Sequence, residues 1–111
     1  MNDKGAQYED RACAYLQGLG YTILKRNYSC KYGEIDLIAR DGEYTVFVEV
    51  KYRKDQGYGF PIEAITRAKQ GRLLKTALVY IEENGEDFYR FDAIVILGDC
   101  LEHLTNIDLS G

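Results

Sequence analysis

The chain has no tryptophan, a single proline, a single histidine and three cysteines in 111 residues. Cys13, Cys30 and Cys100 are an odd number of widely spaced thiols with no CxxC pair, which argues against a disulfide framework and against a zinc site. His103 has only Cys100 near it in sequence, too little for a structural metal. Three ordinary thiols in a reducing compartment is the reading that remains. No apolar run approaches the roughly 18 residues needed to span a bilayer. The segment from Met1 to Gly5 is polar and runs into Glu9 and Asp10, unlike the basic and apolar regions of a signal peptide, so a cytoplasmic location is expected. The absence of tryptophan beside ten tyrosines carries no functional reading. There is no repeat, low-complexity tract or linker, so residues 1–111 are read as one domain, large enough to bury a core without cross-links.

What is present is ordinary soluble composition, 46% apolar and 29% charged. The net charge of −4 looks unsuited to an anionic partner, but the charge is unevenly spread. Met1 to Val50 carries −2, Lys51 to Lys75 carries +5, and Thr76 to Gly111 carries −7. Local potential governs anion binding, so the basic middle segment matters more than the total.

Ala12, Cys13, Leu16 and Leu19 recur at helical spacing and predict a helix from about Lys4 to Leu19, stopped by Gly20. Strands are predicted over Tyr21–Tyr28, Glu34–Arg40 and Tyr44–Tyr52, the last two joined by an Asp41-Gly42 turn. The glycine-rich stretch Asp55 to Phe60 reads as a mobile loop. Pro61 begins a helical region, and Thr66 caps a long helix to about Glu83, ended by Asn84-Gly85. A strand over Phe88–Leu97 follows, with a short strand or turn near Cys100–Leu104. This order predicts an α/β fold, a mixed sheet flanked by helices.

Strands alternate faces with period two. Glu49 and Lys51 therefore share a face, with Val46, Val48 and Val50 on the other. Glu34 and Asp36 share a face, with Ile35 and Leu37 opposite. With Asp41-Gly42 as the turn residues, Arg40 pairs with Glu43 and Asp36 lies opposite Phe47. Asp36 and Glu49 are then diagonal neighbours, roughly 5–8 Å apart. A two-residue change of register would keep them on one face. Converging carboxylates repel, and Mg²⁺ or Mn²⁺ relieves that repulsion with the hard oxygen ligands it prefers. Such an ion binds phosphate oxygens and acidifies water, and Lys51 could orient that water or stabilise developing charge. A solvated sheet face with a Glu49–Lys51 pair satisfies the same alternation.

Glu9 falls on the apolar stripe of the first helix, where a carboxylate must snorkel, pair or bind something. Joining the two strand acids is one solution and a salt bridge is the other. On the second long helix Leu74, Ala77, Leu78 and Ile81 form the expected apolar stripe. Lys69, Arg72 and Lys75 lie on roughly the opposite side, either as a track for a phosphate backbone or as a solvated face. Arg53 and Lys54 leave the site strand beside the glycine loop, placed to hold a phosphate, with Tyr52, Tyr58 and Phe60 able to stack on bases or merely to pack the loop.

Gly33-Glu34-Ile35-Asp36-Leu37-Ile38-Ala39, followed by Val46 through Arg53, resembles the YraN family of bacterial proteins. Glu9, Arg26-Asn27, the run Gly59 to Thr66, and Arg90-Phe91-Asp92 extend the resemblance over most of the chain. That family in turn resembles PD-(D/E)xK nucleases, especially archaeal Holliday-junction resolvases, with a restriction endonuclease-like fold. The resemblance implies that Asp36, Glu49 and the Val50 carbonyl bind Mg²⁺, with Glu9 acting through water, and that Lys51 positions the attacking water. The proline usual before the first acid is Ile35 here. A Mg²⁺-dependent endonuclease on DNA, branched, damaged or single-stranded, is the function implied, and a homodimer is the assembly implied. A nucleic-acid-binding module without chemistry and a protein-interaction domain using the acidic C-terminal third are the alternatives.

Overall fold

The computed structural model describes residues 3–53, 67–85 and 88–109. Helix α1 spans Asp3–Gly18, followed by strands β1 (Thr22–Cys30), β2 (Gly33–Asp41) and β3 (Tyr44–Arg53). Helix α2 spans Arg67–Asn84, and strands β4 (Tyr89–Leu97) and β5 (Cys100–Leu104) complete the order. The loop expected at Asp55–Phe60, the helical start at Pro61, the Thr66 cap, and Lys54 and Tyr58 lie outside the described residues.

The five strands form one sheet in the order β1-β2-β3-β4-β5. Neighbours are antiparallel except β3 and β4, which run parallel. A parallel neighbour needs a crossover, and α2 lies on that path. The architecture is thus the α/β mixed sheet with flanking helices that the element order predicted, and the short last strand near Cys100 is β5.

Each helix covers one face. Ala12, Cys13 and Leu16 of α1 pack on Leu37, Val46, Val48, Ile94 and Ile96. Leu73, Ala77 and Tyr80 of α2 pack with Ile35, Ile38, Phe47, Phe91 and Ala93. Fully burying each large side chain contributes roughly 1.5–3 kcal/mol, so these two layers are the main source of stability. Leu19, expected on the α1 stripe, is instead 52% exposed. The helix has already ended there: Gly20 takes φ +94°, and its N–H and that of Tyr21 bond back to the carbonyls of Gln17 and Leu16.

Three local expectations change. In the β2–β3 hairpin Asp41 pairs with Tyr44, so Gly42-Glu43 is the turn, not Asp41-Gly42. Gly42 takes φ +59° at the first turn position, which suits glycine, and Arg90 anchors Asp41 by an ion pair of 3.0 Å. The register therefore shifts by two residues, and the faces are kept.

In β2, Ile35 joins the α2 layer while Leu37 joins the α1 layer, although strict alternation puts both on one face. β2 stays paired with β1 across this step, and the departure from alternation falls where Asn27, opposite Asp36, takes φ +54°.

In α2 the buried stripe is Leu73, Thr76, Ala77 and Tyr80, and Leu78 is 46% exposed. Tyr80 sets this rotation, since its ring meets Phe47 and Tyr28 edge-on at 5.8 and 5.3 Å. Lys69 consequently turns toward Glu49 of the sheet, while Arg72 stays exposed.

Candidate functional site

The acids come together where β2 and β3 part. Extending the observed register by one step sets Asp36 directly opposite Glu49 rather than diagonal to it. In place of a further strand–strand bond, the backbone N–H of Val50 donates to Asp36 Oδ2 at 2.8 Å. Gly33, Glu34, Asp36, Glu49, Lys69 and Arg72 line a cavity of about 210 Å³ there. At about 30 Å³ per water, it has room for a cation with several waters.

Charge in this cavity is held out of balance. Burial raises the Asp36 carboxyl, opposed by the Val50 N–H and by Lys69 and Lys51. Glu49 is pushed up to about 7, first by burial and then by the charge of Asp36. Lys69 Nζ sits 3.3 Å from Glu49 Oε2. Burial would lower Lys69, but its contact with Lys51 and the charges of Glu49 and Asp36 outweigh this and raise it. Lys51 moves the other way, lowered by burial and by Lys69 beside it.

Of the two outcomes expected for Glu9, pairing is the one observed, and Glu9 does not line the cavity of the strand acids. It accepts a hydrogen bond from Asn27 Nδ2 at 3.0 Å and lies 3.7 Å from the Arg26 guanidinium. Its charge is nonetheless felt at Asp36. Arg26 pairs with Leu37 and Tyr28 with Ile35, so Asn27 between them falls opposite Asp36. Among the described residues no three histidine, cysteine or acidic side chains converge tightly enough to hold a metal together. Two carboxylates, Asp36 and Glu49, do converge, and Mg²⁺ is usually held by one or two carboxylates plus waters. That donor set fits the ion. The Val50 carbonyl belongs to the same strand end.

The predicted basic residues divide. Lys69 and Arg72 are at the cavity. Lys75, one turn on, is exposed beside Tyr32. Arg53 ends β3, its backbone paired with Leu97. Tyr52, half-buried, stacks on Tyr8 of α1 at 3.9 Å, which covers one face of its ring.

Sequence reasoning missed a second polar cluster, on the α1 face. Asp92 is fully buried. Arg90 Nε donates to it at 3.1 Å and the Asn106 N–H at 2.9 Å, and His103 Nε2 lies 2.7 Å away. An ionised carboxylate only accepts, so His103 carries its proton on Nε2, and a neutral ring then accepts from the Tyr15 hydroxyl at Nδ1, 3.2 Å away. Burial would raise Asp92, but the bonds from His103, Arg90 and Asn106 outweigh it and hold the carboxyl below its usual range. The signal available in the sequence was a single aspartate inside the otherwise apolar run Phe91–Leu97.

Residues 8–96 match the model of the uncharacterised protein family UPF0102. A UPF0102 protein of Sulfurihydrogenibium sp. (strain YO3AOP1) is 47% identical over 106 residues, 93% of this chain and 91% of its own length. One of Geobacter sulfurreducens is 44% identical over 109 residues, covering 92% and 85%. One of Lachnoclostridium phytofermentans is 46% identical over 111 residues, covering 96% and 94%.

Proposed function

Since the chain belongs to the UPF0102 family, the same family as the YraN proteins its strand motifs resemble, we propose that it is a Mg²⁺- or Mn²⁺-dependent endonuclease that hydrolyses DNA phosphodiesters. The observation that carries this reading is the meeting of Asp36 and Glu49 in one cavity with Lys69 at its wall and Lys51 beside Lys69. A pure binding surface for phosphate has no use for a buried and a half-buried acid at its centre.

Asp36 and Glu49, with the Val50 carbonyl, would hold the ion. Bound there, it supplies Lewis acidity toward the phosphate and a lowered pKa for water. The Val50 N–H fixes the Asp36 carboxylate, so that its other oxygen is presented to the cavity. Lys51, easier to deprotonate than an ordinary lysine, holds the attacking water. Arg72 holds the scissile strand by its phosphates. Water adds to phosphorus, one P–O ester bond breaks, and the leaving oxygen takes a proton, giving a phosphate monoester and a free hydroxyl. The Lys69–Glu49 ion pair favours a second reading, in which Lys69 permanently neutralises Glu49 and the domain binds nucleic acid without chemistry.

The test is cleavage of single-stranded, flapped and four-way-junction DNA with Mg²⁺ or Mn²⁺. Cutting by the natural protein, lost in Asp36→Ala, is expected. If nothing in the panel is cut, or Asp36→Ala cuts equally well, the nuclease reading fails. Calorimetric titration with Mn²⁺ separates the readings further: a site lost in Asp36→Ala belongs to the first, and no site at all to the second.

A further inference from the structure

We propose that Tyr32, with Lys31 and Lys75, forms a subsite that stacks an unpaired base of the DNA strand whose phosphates pass the acid cavity. The inference rests on the nuclease reading and adds to it the kind of strand the site accepts.

Tyr32 stands in the β1–β2 turn, 38% exposed. The turn is held in place, since the Tyr32 N–H bonds to Cys30 Sγ at 3.4 Å. Two ammonium groups lie near its ring, Lys31 Nζ at 5.2 Å and Lys75 Nζ at 5.8 Å from the centroid. An exposed aromatic ring between two cations is the composition of a single-strand platform, where a base stacks and its neighbouring phosphates find positive charge. A base stacked on the ring interacts with it more strongly than an exposed cation–π contact does, so a base can displace either lysine.

Position ties the platform to the acids. Gly33 follows Tyr32 and lies against Arg72 and Thr76 of α2. Gly33 and Arg72 also line the acid cavity. A strand crossing that cavity at Arg72 meets Lys75 one helical turn later and Tyr32 beside it, and Glu82 marks the end of the basic path. A base can stack there only when it is unpaired, because a duplex keeps both of its faces covered.

The absence of tryptophan makes the test direct. Tyr32→Trp introduces the only indole, at a partly exposed position where the ring change leaves the core untouched. Its emission is followed during titration, without divalent metal, with a labelled 20-nucleotide oligothymidylate and with an abasic strand of equal length. Label anisotropy reports binding independently. The expected result is strong quenching by oligothymidylate, little by the abasic strand, and about tenfold weaker oligothymidylate binding by Tyr32→Ala with abasic binding unchanged. Binding of both strands without quenching overturns the subsite and leaves the nuclease reading standing. No binding of either strand overturns the subsite, and the nuclease reading is then decided by the cleavage panel with metal. Equal weakening of both strands by Tyr32→Ala also overturns the stacking role.

Discussion

A carboxyl group buried beside another carboxylate can relieve its charge by keeping a proton or by acquiring a cation. Glu49 is in that position, and the two routes give opposite pH dependence. Its folded pKa, about 7, is above the ordinary 4.5. The stability it contributes is therefore full below about 4.5 and is lost as pH rises through about 7, up to about 3 kcal/mol. A bound divalent cation takes over the proton's role. In chelator, the free energy of unfolding is expected to fall between pH 5 and 8. The stabilisation by saturating Mg²⁺ or Mn²⁺ should grow over the same interval. Glu49→Gln should show neither trend. Urea denaturation at several pH values, with and without metal, measures both, and a metal-induced gain that is equal at pH 5 and pH 8 would sink the idea.

At the scale of elements, the boundaries of helices and strands were legible because their signals are local. Gly20 stops α1, the period-two alternation marks β3, and the apolar run Phe91–Leu97 marks β4. The acid–acid–lysine set was legible for the same reason, since it sits on one hairpin. What sequence could not supply depended on distant partners. Tyr80 rotates α2 by packing on Phe47 and Tyr28, and no helical period reveals which aromatic will lead. Asp41 joins β2 because Arg90, far along the chain, holds it. Lys69 meets Glu49 only because α2 is rotated. The rotated stripe has its own consequence. Leu73→Ala, at a side chain 3% exposed, should cost about 2–5 kcal/mol, whereas Leu78→Ala, 46% exposed, should change stability by less than about 0.5. Comparable costs in urea unfolding would mean that the stripe read from sequence, with Leu78 inward, was right after all.

Over the whole molecule, the two polar clusters divide the work between the faces of the sheet. The acid cavity opens on the α2 side at the end of β3, and the Asp92 network lies on the α1 side. Asp92 ties β4 to β5 through His103, to α1 through Tyr15, to the hairpin through Arg90 and Asp41, and to the chain after β5 through Asn106. Removing one partner of such a buried set leaves uncompensated charge, so Asp92→Ala should cost about 3–5 kcal/mol, a large part of a typical domain's 5–15. Its pH dependence has the opposite sign to that of Glu49. The folded pKa of Asp92 is depressed, so its stabilisation is present above about 3.8 and is lost as pH falls through the folded value. In chelator the protein should therefore be most stable at intermediate pH, limited on the acid side by Asp92 and on the alkaline side by Glu49. The two limbs can be changed separately. Divalent metal should flatten only the alkaline limb, and Asp92→Asn only the acid limb while lowering stability throughout. Mn²⁺ affinity of the folded Asp92→Asn protein should match that of the natural chain. A tenfold loss of that affinity would show the two clusters to be one coupled system rather than a scaffold on one face and a site on the other.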